Sequence, residues 1–188
     1  MRIAVFASGN GSNFEALARK KYRYARIVML VTDKKDAYCI ERSKRLGIPY
    51  YVFPYEEYKN KREYETAILE LLKKEKIDAI ALAGYMRIVS PLLLEAFPGR
   101  ILNIHPSLLP AFKGLEAIKQ AYDYGVKIIG ISVHYVSPEV DAGEIIAQTA
   151  FEVKEGMTLE EVEAKIHRLE HRLYPQVIKK VFDKKEMS

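Results

Sequence analysis

The chain has 188 residues, enough for one ordinary domain with a real core and few for two. Its net charge is +5, but the Lys and Arg residues alternate with Glu, as in Lys73-Lys74-Glu75-Lys76, which is the pattern of solvated helix faces and not of a nucleic-acid surface. One cysteine, Cys39, excludes an internal disulfide framework and a cysteine-rich zinc site, and no apolar run is long enough for a signal peptide or a membrane span; the expectation is a soluble, cytoplasmic protein.

In chain order, Ile3 to Ala7 is a short β-rich run that ends in Ser8-Gly9-Asn10-Gly11-Ser12, and Asn13 to Lys20 reads as a helix. Arg26 to Thr32 is a second strand, Tyr38 to Leu46 a helix closed by Gly47, and Pro49 to Phe53 a third strand. Glu56 to Lys76 carries Tyr64, Ile68, Leu71 and Leu72 at helical spacing. Asp78 to Ala83 is an apolar strand, Pro91 to Phe97 a short helix, Arg100 to Ile104 a further strand and Leu115 to Tyr124 a helix. This alternation predicts βαβ units: an α/β fold with a doubly wound, mostly parallel sheet and helices on both faces. Lys127 to Val136 and Glu144 to Val153 are two longer β-runs joined through Asp141-Ala142-Gly143, and they extend the sheet. Thr158 to Phe182 is a closing helix, with Thr158 and Glu161 as a capping box and Pro175 as a kink or break. Repeats and linkers are absent, so the organisation is a single domain, 1–188.

Two places carry polar chemistry. Gly9-Asn10-Gly11-Ser12-Asn13 lies between a strand and a helix start, where glycines let a ligand approach and free N–H groups suit an anion such as phosphate. The competing reading is a tight turn with Ser12 or Asn13 as N-cap. A dinucleotide loop is disfavoured: Asp33 lies at the distance of a ribose-binding acid, but Phe14 occupies the position of the third glycine. The second place is Asn103-Ile104-His105-Pro106. Asn103 and His105 are two apart on an extended backbone and leave the same face of the sheet where Pro106 stops the ladder. An amide and an imidazole at a strand end offer a donor, an acceptor and a proton near neutral pH.

Among the other histidines, His134 sits inside the alternating run Ile131 to Val136 and reads as a structural sheet residue. His167-Arg168-Leu169-Glu170-His171 matches H-x-x-E-H, but a third ligand is missing, so no metal is expected there. Asp141 is either a turn-former or the charge partner of His105.

Four ordered motifs over nearly the whole chain carry a resemblance: Ser8 to Asn13, Leu82-Ala83-Gly84-Tyr85-Met86-Arg87-Ile88, Asn103 to Pro110, and Ser132 to Val136 running on to Gly143. The chain resembles the folate-dependent formyltransferases of the glycinamide ribonucleotide transformylase (phosphoribosylglycinamide formyltransferase) type. The resemblance implies a Rossmann-like formyltransferase fold. It implies transfer of a formyl group from 10-formyltetrahydrofolate, as cosubstrate, to the amine of 5-phosphoribosylglycinamide in purine (IMP) synthesis. It assigns Gly11, Ser12, Asn13 and Glu170 to the ribonucleotide, and Arg62, Met86, Arg87, Ile88, Val89 and Asn103 to the folate. Asn103, His105 and Asp141 are its catalytic trio. No metal, nucleic acid or membrane partner is implied, and a monomer and a homodimer are both compatible with it. His167 and Ala111-Phe112 depart from the family pattern. The alternatives are a formyltetrahydrofolate deformylase, which shares the catalytic motif, and a nucleotide-binding regulatory module that uses only the phosphate loop.

Overall fold

In the computed structural model, residues 1–184 are described. Seven strands form one sheet in the order β3-β2-β1-β4-β5-β6-β7: β1 Arg2–Phe6, β2 Arg26–Thr32, β3 Tyr50–Val52, β4 Ala79–Leu82, β5 Ile101–His105, β6 Ile128–Tyr135 and β7 Ile145–Glu152. The first five are parallel, while β6 runs antiparallel to β5 and β7 antiparallel to β6. The expected change of rhythm after Gly125 is therefore a change of strand direction.

The helices are α1 Ser12–Arg19, α2 Cys39–Leu46, α3 Lys61–Lys74, α4 Pro91–Ala96, α5 Ala117–Tyr124 and α6 Leu159–Phe182. The predicted 56–76 helix is shorter, because the chain first makes a separate 3-10 turn at Tyr55–Glu57. Asn60 then starts α3 in an extended conformation, with its side chain accepting the Glu63 N–H. Ser90 caps α4 in the same way, with Pro91 in the first turn, where its missing N–H costs nothing. The capping box of α6 forms as predicted: Thr158 Oγ1 accepts from Glu161 N, and the Glu161 carboxylate accepts from Thr158 N. Of the kink or break expected at Pro175, the break does not occur: α6 runs as one helix through it, and Pro175 is buried.

Strand alternation sorts the core into two layers. Ile3, Val5, Leu102 and Ile104 pack against Phe14 and Leu17 of α1 and the apolar stripe of α6, including Val162, Ile166 and Tyr174. Ala4, Phe6, Met29 and Ile101 pack on the other face against Tyr64, Ile68 and Leu72 of α3 and Leu93 of α4. Strands covered on both faces read as continuous apolar runs, which is why β1 and β4 had no alternation in sequence. Asn103 and His105 alternate with Leu102 and Ile104 along β5 and share the face of Ile101.

Candidate active site

A cleft of about 600 Å³ runs along the carboxyl ends of β1, β4 and β5. In a sheet that winds both ways from β1 and β4, this is where strand ends diverge and ligands bind.

One end of the cleft is the loop 9–13. Gly11 is the N-cap of α1, with φ 75°, and no side chain caps the helix. The competing reading, with Ser12 or Asn13 as N-cap, does not hold: both are inside the helix, and no side chain caps the first-turn N–H groups. A side chain at residue 11 would be strained by the positive φ and would place Cβ 2.4 Å from Cys39 Cβ. Arg42 braces the loop from α2, donating from Nε to the Asn10 carbonyl and from Nη2 to its side-chain oxygen, both at 2.8 Å.

Helix α6 closes this end. The Glu170 carboxylate is buried, and one oxygen accepts from Asn13 Nδ2 and contacts His167 Nδ1, each at 2.9 Å. That hydrogen bond raises the His167 pKa above its ordinary value, while burial lowers that of His171. Asn13 Oδ1 and His171 Nε2 are buried without a protein partner. The expected ribonucleotide residues Gly11, Ser12, Asn13 and Glu170 thus share one wall. The H-x-x-E-H pattern serves that wall, and among the described residues no group of three or more His, Cys, Asp or Glu is arranged to hold a metal.

The 84–89 segment forms another wall. Ser8 Oγ accepts the Met86 N–H at 2.9 Å, which ties this segment to the end of β1. Arg87 donates from Nε to the buried Asp33 carboxylate at 2.9 Å and lies 4.5 Å from the Tyr55 ring centroid. Asp33, weighed in sequence as a ribose-binding acid, is an anchor for Arg87 instead. Met86 and Ile88 are more than half exposed, and with Val89, Leu115 and Val140 they line the cleft. Exposed apolar side chains beside a polar centre suit a flat ring system that is polar at its edges. Arg62 is not brought here: it is exposed on α3 and does not line the cleft.

Between these walls lie Asn103, His105, His134 and Asp141. The Asp141 carboxylate has one oxygen 3.4 Å from His105 Nδ1 and 2.9 Å from the donating Gly114 N–H. Its other oxygen is 3.4 Å from Asn103 Nδ2 and 3.6 Å from His134 Nε2. His105 Nε2 is 2.8 Å from the Phe112 carbonyl oxygen, so each nitrogen of that ring faces an acceptor. Burial pushes the Asp141 pKa up. The contacts its oxygens make, the Gly114 N–H among them, outweigh this, and the carboxyl is held below its ordinary range. Asp141 has φ 50° and sits in the β6–β7 turn. The turn stays close to β6 because residue 143 is glycine: a Cβ there would lie 1.7 Å from the Tyr135 oxygen.

His134 is a sheet residue, as its place in the alternating run predicts, with a partner the sequence did not show. It is buried and faces Asn103 directly across the antiparallel β5–β6 pair. Its partner could not be read from the chain, because the register of β6 on β5 is not a local property. Gly114 and the 137–140 stretch, which also border the cleft, carry no sequence signal of their own.

This fold and site place the chain in a known class. The formyl transferase family profile matches residues 1–178, and the chain belongs to that family. Within it, the chain is similar to the phosphoribosylglycinamide formyltransferase of Bacillus subtilis (strain 168), with 50% identity over 183 residues, covering 96% of this chain and 94% of that one. It is also 40% identical over 183 residues to part of the human trifunctional purine biosynthetic protein adenosine-3, covering 96% of this chain and 18% of that protein. The crystal structure of phosphoribosylglycinamide formyltransferase from Bacillus halodurans superposes with a TM-score of 0.94 at 45% identity, covering 98% of this chain and 96% of that one.

Proposed function

We propose that the chain, acting as a single domain, transfers the formyl group of 10-formyltetrahydrofolate to the glycinamide amine of 5-phosphoribosylglycinamide, a step of purine synthesis. The observation that carries this reading is the position of the Asp141 carboxylate. It is shared between His105 and Asn103, in a cleft that an uncapped helix N-terminus and an apolar wall also line. One end suits a phosphate and the other a folate ring, so the two reacting groups meet at the trio.

Attack of the glycinamide amine on the formyl carbon turns the formyl oxygen into an oxyanion; its collapse breaks the bond from the formyl carbon to N10 of the folate, and the proton lost by the amine ends on that nitrogen of the released tetrahydrofolate. Asn103 Nδ2 and His105 are the donors placed to meet it, and removing one such donor from a preorganised site lowers kcat by about 10²–10³-fold. His105 Nε2 is engaged by the Phe112 carbonyl, so Nδ1, on the Asp141 side, is the nitrogen that serves the reaction. Asp141, 3.4 Å from Nδ1, orients that ring. Gly11, Ser12 and Asn13 bind the phosphate, Glu170 the ribonucleotide and residues 86–89 the folate. Holding both substrates in line makes the attack effectively intramolecular.

The test is tetrahydrofolate release from 10-formyltetrahydrofolate with and without the ribonucleotide. Release only when the ribonucleotide is present is expected. Release that ignores it would identify a hydrolase, and none in either case would leave only a nucleotide-binding module.

A further inference from the structure

His134 has no assigned task in the transfer, yet it is buried and two of its contacts converge on Asn103 and Asp141. Its Nδ1 lies 2.8 Å from the Tyr135 carbonyl oxygen, an acceptor with no proton to give. Nδ1 is therefore the protonated nitrogen, and in the neutral ring Nε2 carries a lone pair. That lone pair lies 3.2 Å from Asn103 Nδ2. The ring is buried, and the Gly143 backbone lies beside its Nδ1.

The amide of Asn103 has two hydrogens on nitrogen. One is directed at His134 Nε2, and the other at Asp141 Oδ1 over a longer 3.4 Å. The second, weakly held hydrogen is the one a formyl oxygen can take over. Once it does, Asp141 no longer fixes the amide, and His134 Nε2 is what keeps nitrogen, and not oxygen, turned toward the reaction. An amide flipped by half a turn would present Oδ1 to the growing negative charge and repel it.

We propose that His134 is a positioning residue that locks the Asn103 amide, so that its second N–H points at the formyl oxygen. This rests on the formyl-transfer reading above.

The test compares His134→Asn with His134→Gln in the full chain. An Asn side chain reaches the place of Nδ1 and keeps the Tyr135 contact but supplies no acceptor at Nε2, whereas Gln places an oxygen near Nε2. His134→Asn is expected to lower kcat by about 30–100-fold, approaching the loss of a full oxyanion donor, with both KM values within threefold of wild type. His134→Gln is expected to recover kcat to within about fivefold, because only the acceptor matters to the amide. In an Asn103→Ala background, His134→Asn should cost nothing further, since there is no amide left to orient. Equal losses in the Asn and Gln variants, the reverse order, or additive losses with Asn103→Ala would each overturn the proposal. Should His134→Asn fail to fold, His134→Met, which fills the ring's volume without a good acceptor, takes its place under the same expectations. If Asn103→Ala alone leaves kcat unchanged, the oxyanion role of Asn103 falls with it. If that variant is crippled and His134→Asn is not, only the lock is refuted.

Discussion

At the end of the cleft proposed to hold phosphate, Gly11, Ser12 and Asn13 are consecutive residues of one helix start. At the end proposed to carry the chemistry, Asn103 and Asp141 are 38 positions apart, and His105 and His134 belong to antiparallel neighbouring strands. The first region needs only a strand, a glycine turn and a helix to exist. The second needs the β5–β6 register, the β6–β7 turn and the 112–114 backbone to be right together. An anion site can thus be inherited from local chain geometry, whereas a group-transfer centre has to be assembled. Damage at the two ends should therefore show in different measurements.

The sharpest break is His105→Ala, expected to lower kcat by about 10²–10³-fold with the folate KM nearly unchanged, read in steady-state kinetics. Retained turnover would remove the ring from the chemistry. Next is Gly11→Ala. The added Cβ has nowhere to go against Cys39, so a loss of about 1–3 kcal/mol in urea unfolding is expected, together with a raised ribonucleotide KM. A smaller effect is expected from Glu170→Gln. The ribonucleotide KM should rise about tenfold, as befits a weakened charge-assisted contact, while the folate KM stays level. If both KM values move together, the two ends are not separable.

The centre should also report through pH. The folded Asp141 carboxyl binds its proton less readily than it does in the unfolded chain, so its contribution to stability is present above the ordinary carboxylate range and is lost as pH falls through it. As pH falls through the carboxylate range, wild type should lose more stability than Asp141→Asn, seen in urea midpoints. An identical decline would mean that Asp141 is not held as its contacts indicate. The smallest effect is at the far end of α6. Thr158→Ala should cost about 1 kcal/mol of stability through loss of the capping box, with kcat unchanged.

Legibility follows the same division. Asn103 and His105 were readable as a same-face pair because strand period is a local rule, and Thr158 with Glu161 because a capping box spans one turn. Arg62 was assigned by resemblance, and its helix leaves it outside the cleft. His134 looked like filler because alternation within β6 says nothing about what lies across β5. Asp33, spaced like a ribose-binding acid, proved to anchor Arg87 through a contact 54 residues away in sequence.

By itself, then, the sequence determined the strand and helix order, the glycine loop between the first strand and helix, the strand-end amide and imidazole, and the family resemblance, all of which rest on periodicity, turn chemistry and contiguous motifs. Only the tertiary structure decided that Gly11 caps α1, that Asp141 reaches His105 and Asn103 at once, and that His134 faces Asn103 across the strand pair. Those outcomes depend on strand register and on a glycine-permitted close approach at Gly143. Both are settled by packing between distant segments, and no window of neighbouring residues contains them.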